Sequence, residues 1–477
     1  MRRAHRFAPA LIAALLVTSA AVAGGIPPRP EQLTFPPLTF DVPDPGAMRF
    51  VLDNGIPVYA KPDRLLPLTT VQVLFRGGAY MVPRGKEGLD TLAGEVWRTG
   101  GAGDRTAQQL DEDLAFLAAN LSTQIGATTG SVRLNLLSKD LDEGLKILMD
   151  VLTRPRFQSD RFAKAKDDLI QEMKKRNDDS SIIERREWSR LIYGDDFWAN
   201  HLATKASVDS ITADDAKAFV ASLIRAGNIV VAVSGDFDRA AMKAALGKAL
   251  GTLPRGGAPV PPVPKIAHPA APGVYVVNKP DVNQGRVSAG ELGVSLGDPD
   301  EFSLRVGNDV LGGGGFTSWI TKRVRSDEGL AYSAGSYFRF PAQYPGFFRA
   351  FFQSKSRTCP GALAITLQLI DKIRTEKVSA DELKTAKASF IDTFPRRFES
   401  AERTAALYAS DELTGIPHSY WKTYRNKVAA VSPDDILKAM RRHLHPKKMI
   451  ILVVGNLDEI LKGHPDYPAK LTDFGEI

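Results

Sequence analysis

The feature of this sequence that most constrains its fold is a pattern that occurs twice. Thr212 is the predicted N-cap of a helix, and the apolar strand predicted after that helix ends at Gly235. Ser432 is the predicted N-cap of a second helix, and its following strand ends at Gly455. Each cap and each glycine is separated from its counterpart by 220 positions. The pattern therefore predicts two halves with the same order of elements.

A second pair of segments agrees with this spacing, since residues 157–176 match residues 378–397 at an offset of 221. Unrelated domains would not share so close a register, and we interpret the pattern as an internal duplication. Residues 254–273 contain seven prolines and are predicted to form a semi-rigid linker. We therefore expect an N-terminal domain over residues 45–253 and a C-terminal domain over residues 274–477.

Strands and helices alternate within the N-terminal half. Residues 71–75 and 132–136 alternate in side-chain type, as expected for strands. A helix is predicted over residues 140–152, with Asp140 as its N-cap and one apolar stripe. The predicted fold class is α+β, with two homologous domains, each a mixed β-sheet packed with helices, joined by the proline-rich linker.

The N-terminus has the pattern of a targeting segment. Three arginines within the first six positions precede an apolar run, and residues 21–23 form an A-x-A cleavage site. This pattern predicts a cleavable signal peptide over residues 1–23 and a periplasmic or otherwise exported protein. The competing interpretation is a membrane anchor, but the run contains Pro9 and is shorter than the ~20 apolar residues that a span needs. We expect no membrane span after signal cleavage.

Composition excludes two further classes of function. The 62 lysines and arginines are interspersed with 55 acidic residues, without the basic face that nucleic-acid binding needs. We therefore expect no nucleic-acid partner. Cys359 is the only cysteine, so no internal disulfide can form. We predict that it is a small buried apolar side chain rather than a reactive thiol.

Several short strings occur in an order that is typical of one protein family. They are Leu-Asp-Asn-Gly at 52–55, Gly-Gly-Ala-Tyr at 77–80, Pro-Arg-Phe at 155–157, Gly-Gly-Gly at 312–314 and Arg-Ser-Asp-Glu-Gly-Leu-Ala-Tyr at 325–332. Together they resemble the pitrilysin/insulinase (inverzincin) peptidases. The chain is most similar to the non-catalytic subunit of mitochondrial processing peptidase and its bacterial relatives. The resemblance covers roughly residues 45–460.

The zinc motif of that family is missing. Active members carry His-x-x-Glu-His on a helix, where two imidazoles bind zinc and the glutamate activates water. Here Thr91 and Glu95 stand at the positions of the two histidines, and Gly94 stands at the position of the base. None of the seven histidines lies between residues 24 and 200. The resemblance therefore implies no metal ligands and no cofactor in this chain, and no activity when it is alone.

One family position of the zinc site is left open. Glu172 follows Glu95 by 77 residues, about where active members hold their third zinc ligand. Without imidazole partners, we expect Glu172 to be a solvated helix residue rather than a metal ligand.

The second half keeps two residues that matter in the family. In paired members, the domain without zinc supplies an arginine and a tyrosine that hold the substrate carbonyl as negative charge develops on its oxygen. Arg325 and Tyr332 match those positions. A guanidinium stays charged and a phenol donates a hydrogen bond at neutral pH, which suits that role. The alternative is a surface arginine and a core tyrosine beside a turn. The glycine run at 312–315 lacks the Gly-Lys-Ser/Thr of a phosphate-binding loop and is predicted to be a flexible turn.

The resemblance implies the non-zinc subunit of a heterodimeric periplasmic zinc peptidase. A zinc-bearing sibling subunit would carry His-x-x-Glu-His, this chain would supply Arg325 and Tyr332, and a peptide would be the substrate. The alternative is a non-catalytic scaffold or assembly subunit of the same fold, because loss of the zinc motif is expected there too. A peptidase that acts alone with replacement ligands has no residues in the sequence to support it.

Overall fold

The computed structural model describes residues 29, 32–33, 39–255, 259–265 and 267–477. The predicted signal peptide lies outside the described residues. Val42–Ile477 form one compact unit, separate from Met1–Asp41. All the α-helices and β-strands that the structure describes lie in this larger unit. The predicted domain boundaries on either side of the linker stay a prediction.

The first sheet is mixed and has six strands. They are β1 (Arg49–Val51), β2 (Pro57–Pro62), β3 (Leu68–Arg76), β4 (Asn120–Ile125), β5 (Thr129–Leu137) and β6 (Ile229–Gly235). Their order across the sheet is β1-β2-β6-β3-β5-β4. Only the β2–β6 pair is parallel. Strands β3 and β5 contain residues 71–75 and 132–136, so both of those strand predictions are confirmed.

The second sheet repeats this arrangement with five strands. They are β7 (Gly273–Asn278), β8 (Gln284–Leu292), β9 (Ala331–Phe338), β10 (Phe347–Lys355) and β11 (Ile450–Gly455). Their order is β7-β11-β8-β10-β9, and only the β7–β11 pair is parallel. Without the short edge strand β1, the first sheet has the same order and the same single parallel pair.

Helices cover both sheets, which confirms the predicted fold class of mixed sheets packed with helices. Those before the linker are α1 (Pro45–Met48), α2 (Leu89–Thr99), α3 (Ala107–Phe116), α4 (Leu141–Thr153), α5 (Ser159–Lys175), α6 (Ser180–Tyr193), α7 (Lys205–Ser210), α8 (Ala213–Leu223) and α9 (Arg239–Leu250). Those after it are α10 (Glu301–Asn308), α11 (Cys359–Thr375), α12 (Ala380–Ile391), α13 (Ala401–Thr414), α14 (Ser419–Ala430), α15 (Pro433–His443) and α16 (Leu457–Lys462).

The caps that define the repeated pattern form as predicted. The Thr212 side chain accepts from the Asp215 N–H at 3.1 Å, and the Asp215 carboxylate accepts from the Thr212 N–H at 2.8 Å. Ser432 and Asp435 make the same reciprocal pair at 3.1 and 2.9 Å. Each capping box satisfies N–H groups that lack a partner within the helix. Both helices therefore begin at equivalent places in the two halves.

Asp140 occupies the predicted N-cap position of α4, but the predicted side-chain cap does not form. A short 3₁₀ turn precedes α4, and the Asp140 side chain makes no capping hydrogen bond. Glu143, in the first turn of α4, instead accepts from Arg105 at 2.9 Å and from Lys146 at 2.8 Å. An ion pair to another part of the chain has replaced the local bond that the sequence pattern predicts.

Two helices cover the sheet of the opposite half. Helix α6 precedes the linker but packs on β8 and β11, and α13 follows the linker but packs on β2, β3 and β6. The Glu184 carboxylate of α6 accepts from Arg349 at 2.7 Å and from Ser288 at 2.6 Å. The Glu412 carboxylate of α13 accepts from Arg49 at 2.8 and 2.9 Å. We call α6 and α13 the exchanged helices.

Except for Gly273, which begins β7, the described part of the proline-rich linker forms neither helix nor strand. The linker lies alongside the end of α6, where the N–H groups of His268 and Ala270 donate to the carbonyls of Tyr193 and Leu191 at 2.9 and 2.7 Å. Cys359 is buried, as predicted, and burial raises the pKa of its thiol to about 12. No helix among the described residues combines the length and apolarity needed to cross a bilayer.

Candidate functional site

The segment that leads to Arg325 begins where α10 passes a strand. Helix α10 continues as a π-helical turn over Asp309–Gly313, and a 3₁₀ turn follows over Gly315–Thr317. A side chain at Gly312 would place its Cβ only 2.4 Å from the backbone nitrogen of Ser336 on β9. Glycine is therefore required at this crossing. The glycine run that the sequence predicts to be a flexible turn is thus largely helical, and part of it is packed against the second sheet.

Arg325 itself lies in a second π-helical turn, Thr321–Asp327. The Thr321 hydroxyl donates to the Ala334 carbonyl of β9 at 2.9 Å. The Leu330 N–H donates to the Val324 carbonyl at 2.9 Å, across a turn in which Gly329 has φ +64°. π-Helical turns are rare and occur often at functional sites. This one fixes the backbone on both sides of Arg325 and leads into β9, where Tyr332 is the second residue.

The structure brings Arg325 and Tyr332 together on the surface. The Arg325 guanidinium carbon lies 4.6 Å from the centroid of the Tyr332 ring and also 4.6 Å from the centroid of the Phe316 ring. Tyr332 is 84% exposed and Phe316 is 68% exposed. Within the described residues, the Arg325 guanidinium makes no hydrogen bond or ion pair, and neither does the Tyr332 hydroxyl. Phe316, Arg325 and Tyr332 are called the stacked trio below.

The stacked trio can act as a hydrogen-bond donor site for a carbonyl oxygen or an anion. Ring stacking takes up the faces of the guanidinium and leaves its N–H edges for a ligand. The guanidinium stays charged at every physiological pH, and the phenol adds a neutral donor. Sequence reasoning predicted two members and missed Phe316. Its only signal was an aromatic residue directly after the glycine run.

The helix that carries the zinc motif in active peptidases is present as α2. Thr91 and Glu95 are exposed and lie one turn apart, so the helix keeps the spacing of two ligands without the imidazoles. A Cβ at Gly94 would be 3.5 Å from the nearest atom, the Ile125 nitrogen, which is ordinary contact. Packing therefore does not demand a glycine at the position of the catalytic base.

The carboxylates beside α2 repel each other. The pKa of Glu95 is raised by partial burial and then by the nearby charges of Asp168 and Glu172 on α5. Glu172 thus lies near α2, as the family position implies. Oxygen ligands alone are a poor match for zinc, which prefers imidazole and thiolate.

Only one cluster among the described residues brings three potential metal ligands within 4.8 Å of one another, and it lies elsewhere. It consists of Asp298, Asp300 and His443. Asp300 accepts from Arg442 at 2.7 Å and pairs with His443 at 2.8 Å. An arginine therefore already compensates the charge of this cluster, which connects the end of α15 to the loop before α10.

Comparison with known proteins agrees with this geometry. A family model described as the peptidase M16 inactive domain matches residues 210–390, a span that includes the stacked trio. The chain is also 24% identical over 403 residues to the non-peptidase homolog YmxG of Helicobacter pylori, covering 84% of this chain and 92% of the relative. These matches support an inactive, pitrilysin-like member of the M16 family. Both matches fit a member that has no zinc of its own.

Other relatives and solved structures extend the comparison. An uncharacterized zinc protease of Rickettsia felis is 22% identical over 288 residues, covering 60% of this chain and 68% of the relative. The crystal structure of a peptidase M16 inactive domain from Pseudomonas fluorescens has a TM-score of 0.75 at 23% identity, covering 85% of this chain and 97% of that one. The crystal structure of the periplasmic protease PqqL of Escherichia coli has a TM-score of 0.73 at 15% identity, covering 88% of this chain and 48% of that one. These structures share the fold of this chain.

Proposed function

We propose that this chain is the non-zinc subunit of a heterodimeric periplasmic zinc peptidase. A sibling subunit with His-x-x-Glu-His supplies the metal and the activated water. This chain supplies Arg325 and Tyr332, which donate to the substrate carbonyl oxygen as it becomes an oxyanion. Phe316 acts as a positioning residue that stacks on the Arg325 guanidinium.

The observation that carries this proposal is that the hydrogen-bond donors of Arg325 and Tyr332 in the stacked trio have no partner among the described residues. The N–H groups of the Arg325 guanidinium and the O–H group of the exposed Tyr332 phenol can therefore donate to a ligand. Arg323, two positions earlier, pairs with Glu328 at 2.7 Å, whereas Arg325 has no carboxylate partner within the described residues. Donors aimed at a developing negative charge accelerate acyl transfer, because their interaction strengthens in the transition state.

The N-terminal sequence pattern and one structural neighbour support the periplasmic part of the proposal. The first 23 residues have the signal-peptide pattern, and one structural neighbour is described as a periplasmic protease. The scaffold alternative keeps support from the relative described as a non-peptidase homolog. The two functions differ in what the stacked trio does for turnover.

The test is peptide hydrolysis by the co-expressed complex. Tyr332→Phe and Arg325→Ala should each lower kcat by about 10²–10³, the usual cost of losing one oxyanion donor. Lys322→Ala is the matched control, because it removes an exposed positive charge from the same π-helical turn. Phe316→Ala should have a smaller effect. Both subunits should still elute together in every variant.

Normal assembly with turnover within about twofold of wild type in both variants, a barrier change near 0.4 kcal/mol, would leave the scaffold function as the better proposal. Separate elution of the two wild-type chains would refute the pairing itself.

The chain purified alone should bind less than stoichiometric zinc and hydrolyse no peptide, because Thr91, Gly94 and Glu95 replace two ligands and the base. Elemental analysis after dialysis, together with a broad peptide panel, measures both. A full equivalent of zinc with chelator-sensitive turnover would contradict the proposal.

A further inference from the structure

A second concave site lies in the first half, between α6 and the loop that follows it. This cavity has a volume of about 760 Å³, within the range typical of ligand sites. Its wall combines residues from the loop before α2, from the end of α5, from α6 and from the segment 195–204. We call it the arginine cavity.

The arginine cavity carries an excess of positive charge. Five arginines line it against three acidic residues: Arg84, Arg176, Arg185, Arg186 and Arg190 against Glu87, Glu187 and Asp195. Arg186 and Arg190 are paired with Glu187 and Asp195. Arg185 is exposed and has no partner within the described residues, and the only bond of the Arg176 side chain is to the Ala203 carbonyl at 3.3 Å. Arg185 is therefore free to bind an anion, and Arg176 keeps N–H groups for the same anion beyond its one bond.

The same cavity exposes apolar side chains. Ile182 is 42% exposed and Leu202 is 44% exposed, and both line it together with Ala199. Exposed aliphatic side chains beside unpaired arginines complement a ligand that has an anionic group next to an apolar one. The His201 imidazole is the only ring in the lining, so a nucleotide base finds no large aromatic surface there to stack on.

The arginine cavity continues toward the former zinc helix. A smaller cavity of about 380 Å³ contains Asp90 and Thr91 of α2. The two share Arg84, Glu87, Ala199, His201 and Leu202 as lining residues. Burial, and then the charge of Arg84, lowers the pKa of His201, as expected in a positive environment. A chain that lies along the start of α2 can thus place its end in the arginine cavity.

We propose that the arginine cavity binds the carboxylate of a peptide, with Arg185 and Arg176 holding the anion and Ile182 and Leu202 holding the adjacent apolar side chain. Arginine suits this role because its planar fork matches the two oxygens of a carboxylate. A doubly charged phosphate is disfavoured by the three acidic residues in the wall. This site needs no sibling subunit and is independent of the function proposed above for the stacked trio.

The experiment titrates the purified chain into labelled peptides and follows fluorescence anisotropy. The probe is fluorescein-Gly-Ala-Ala-Ala-Leu with a free carboxylate. A second peptide has a C-terminal amide, and a third has the amide and a penultimate glutamate. The free acid should bind about tenfold or more tightly than the amide without glutamate. Tight binding of the third peptide would identify an acidic side chain as the source of the carboxylate and would also support the site.

Two variants locate the binding. Arg185→Gln should weaken the free-acid peptide about tenfold. Arg64→Gln, which removes a 71% exposed arginine on the same half, should leave it unchanged. Leu202→Ser should weaken the peptide that ends in leucine but not one that ends in glycine. Since Arg185 and Leu202 are exposed, neither change should affect folding.

Equal affinity for acid and amide, or no binding of either up to about 1 mM, would overturn the proposal. So would an equal loss in the Arg64 and Arg185 variants, or complete displacement of the peptide by an equal concentration of inorganic phosphate. None of these results would bear on Arg325 or Tyr332.

Discussion

The exchanged helices α6 and α13 occupy equivalent positions, but the ion pairs that join them to the opposite sheets differ in burial. Each covers the opposite sheet and each presents a glutamate to it. Glu184 on α6 is 5% exposed and faces the central strands β8 and β10, so water is excluded from its ion pair. The Glu412 side chain on α13 is 23% exposed, because its arginine partner lies on the edge strand β1. Equivalent architecture therefore does not imply equivalent energetics, since strand position sets how much water reaches each carboxylate.

The largest effect is expected from breaking the pair on α6. Arg349→Met leaves the Glu184 carboxylate buried with its closest positive partner removed. Loss of one partner of a buried pair costs about 3–5 kcal/mol of unfolding free energy. Urea unfolding measures this loss.

The control for this variant is Arg357→Met, because Arg357 is 54% exposed and its pair with Glu459 should contribute at most about 1 kcal/mol. Adding Glu184→Gln to Arg349→Met should restore part of the stability. A loss below 1 kcal/mol in the single variant would show that the two exchanged helices are held with similar strength.

Asp411, next to Glu412 on α13, should give the next largest effect on the free energy of unfolding, with the opposite sign. Burial raises the pKa of Asp411 to about 6, although the Trp421 indole donates to its carboxylate at 2.5 Å. The folded state therefore keeps a proton that the unfolded chain releases near pH 4, so stability falls as pH rises from about 4 to 6. Asp411→Asn keeps the acceptor for Trp421 and should stabilise the protein by up to about 3 kcal/mol at pH 7. Urea midpoints at pH 4.5 and 7.5 test this, and a variant that keeps the wild-type slope would contradict it.

The smallest effect is expected at Glu412. Its pKa is lowered, first by the hydrogen bonds from Arg49 and then, against the effect of burial, by Tyr59. A lowered pKa gives stability that is present above the unfolded value of about 4.5 and is lost as pH falls through the folded value. Glu412→Gln should cost about 1–2 kcal/mol at pH 7 and progressively less below pH 4. Melting temperatures across that range should therefore show opposite slopes for the adjacent positions 411 and 412, and parallel slopes would refute this.

Local patterns in the sequence predicted much of the fold. The capping boxes at Thr212 and Ser432 use residues three positions apart, and the alternation in β5 matches its single buried face. Asp140 makes no side-chain cap because it ends a 3₁₀ turn, and Glu143, which would complete the capping box, binds Arg105, distant in sequence. The exchanged helices could not be predicted, since a side-chain pattern shows which face of a helix is apolar and not which sheet covers it.

The candidate site shows the same limit. Arg325 and Tyr332 lie within one short string that can be matched to a family. Phe316 lies nine positions before Arg325, a spacing that matches no single helix or strand. Its contact with the guanidinium depends on two π-helical turns, which have no sequence pattern as clear as a capping box. The arginine cavity is also invisible in the sequence, because its lining comes from four separate segments.

The exchanged helices also determine the order in which the chain can mature. Strands β1 to β6 are complete at residue 235, but α13, which covers them, begins at residue 401. During synthesis the first sheet must therefore wait, with one face uncovered, for a segment about 170 residues further along the chain. Such distant pairings slow folding and prolong exposure to aggregation. Once α6 and α13 are packed, a single cut in the proline-rich linker would leave two fragments that stay associated, because each fragment contributes a helix to the sheet of the other.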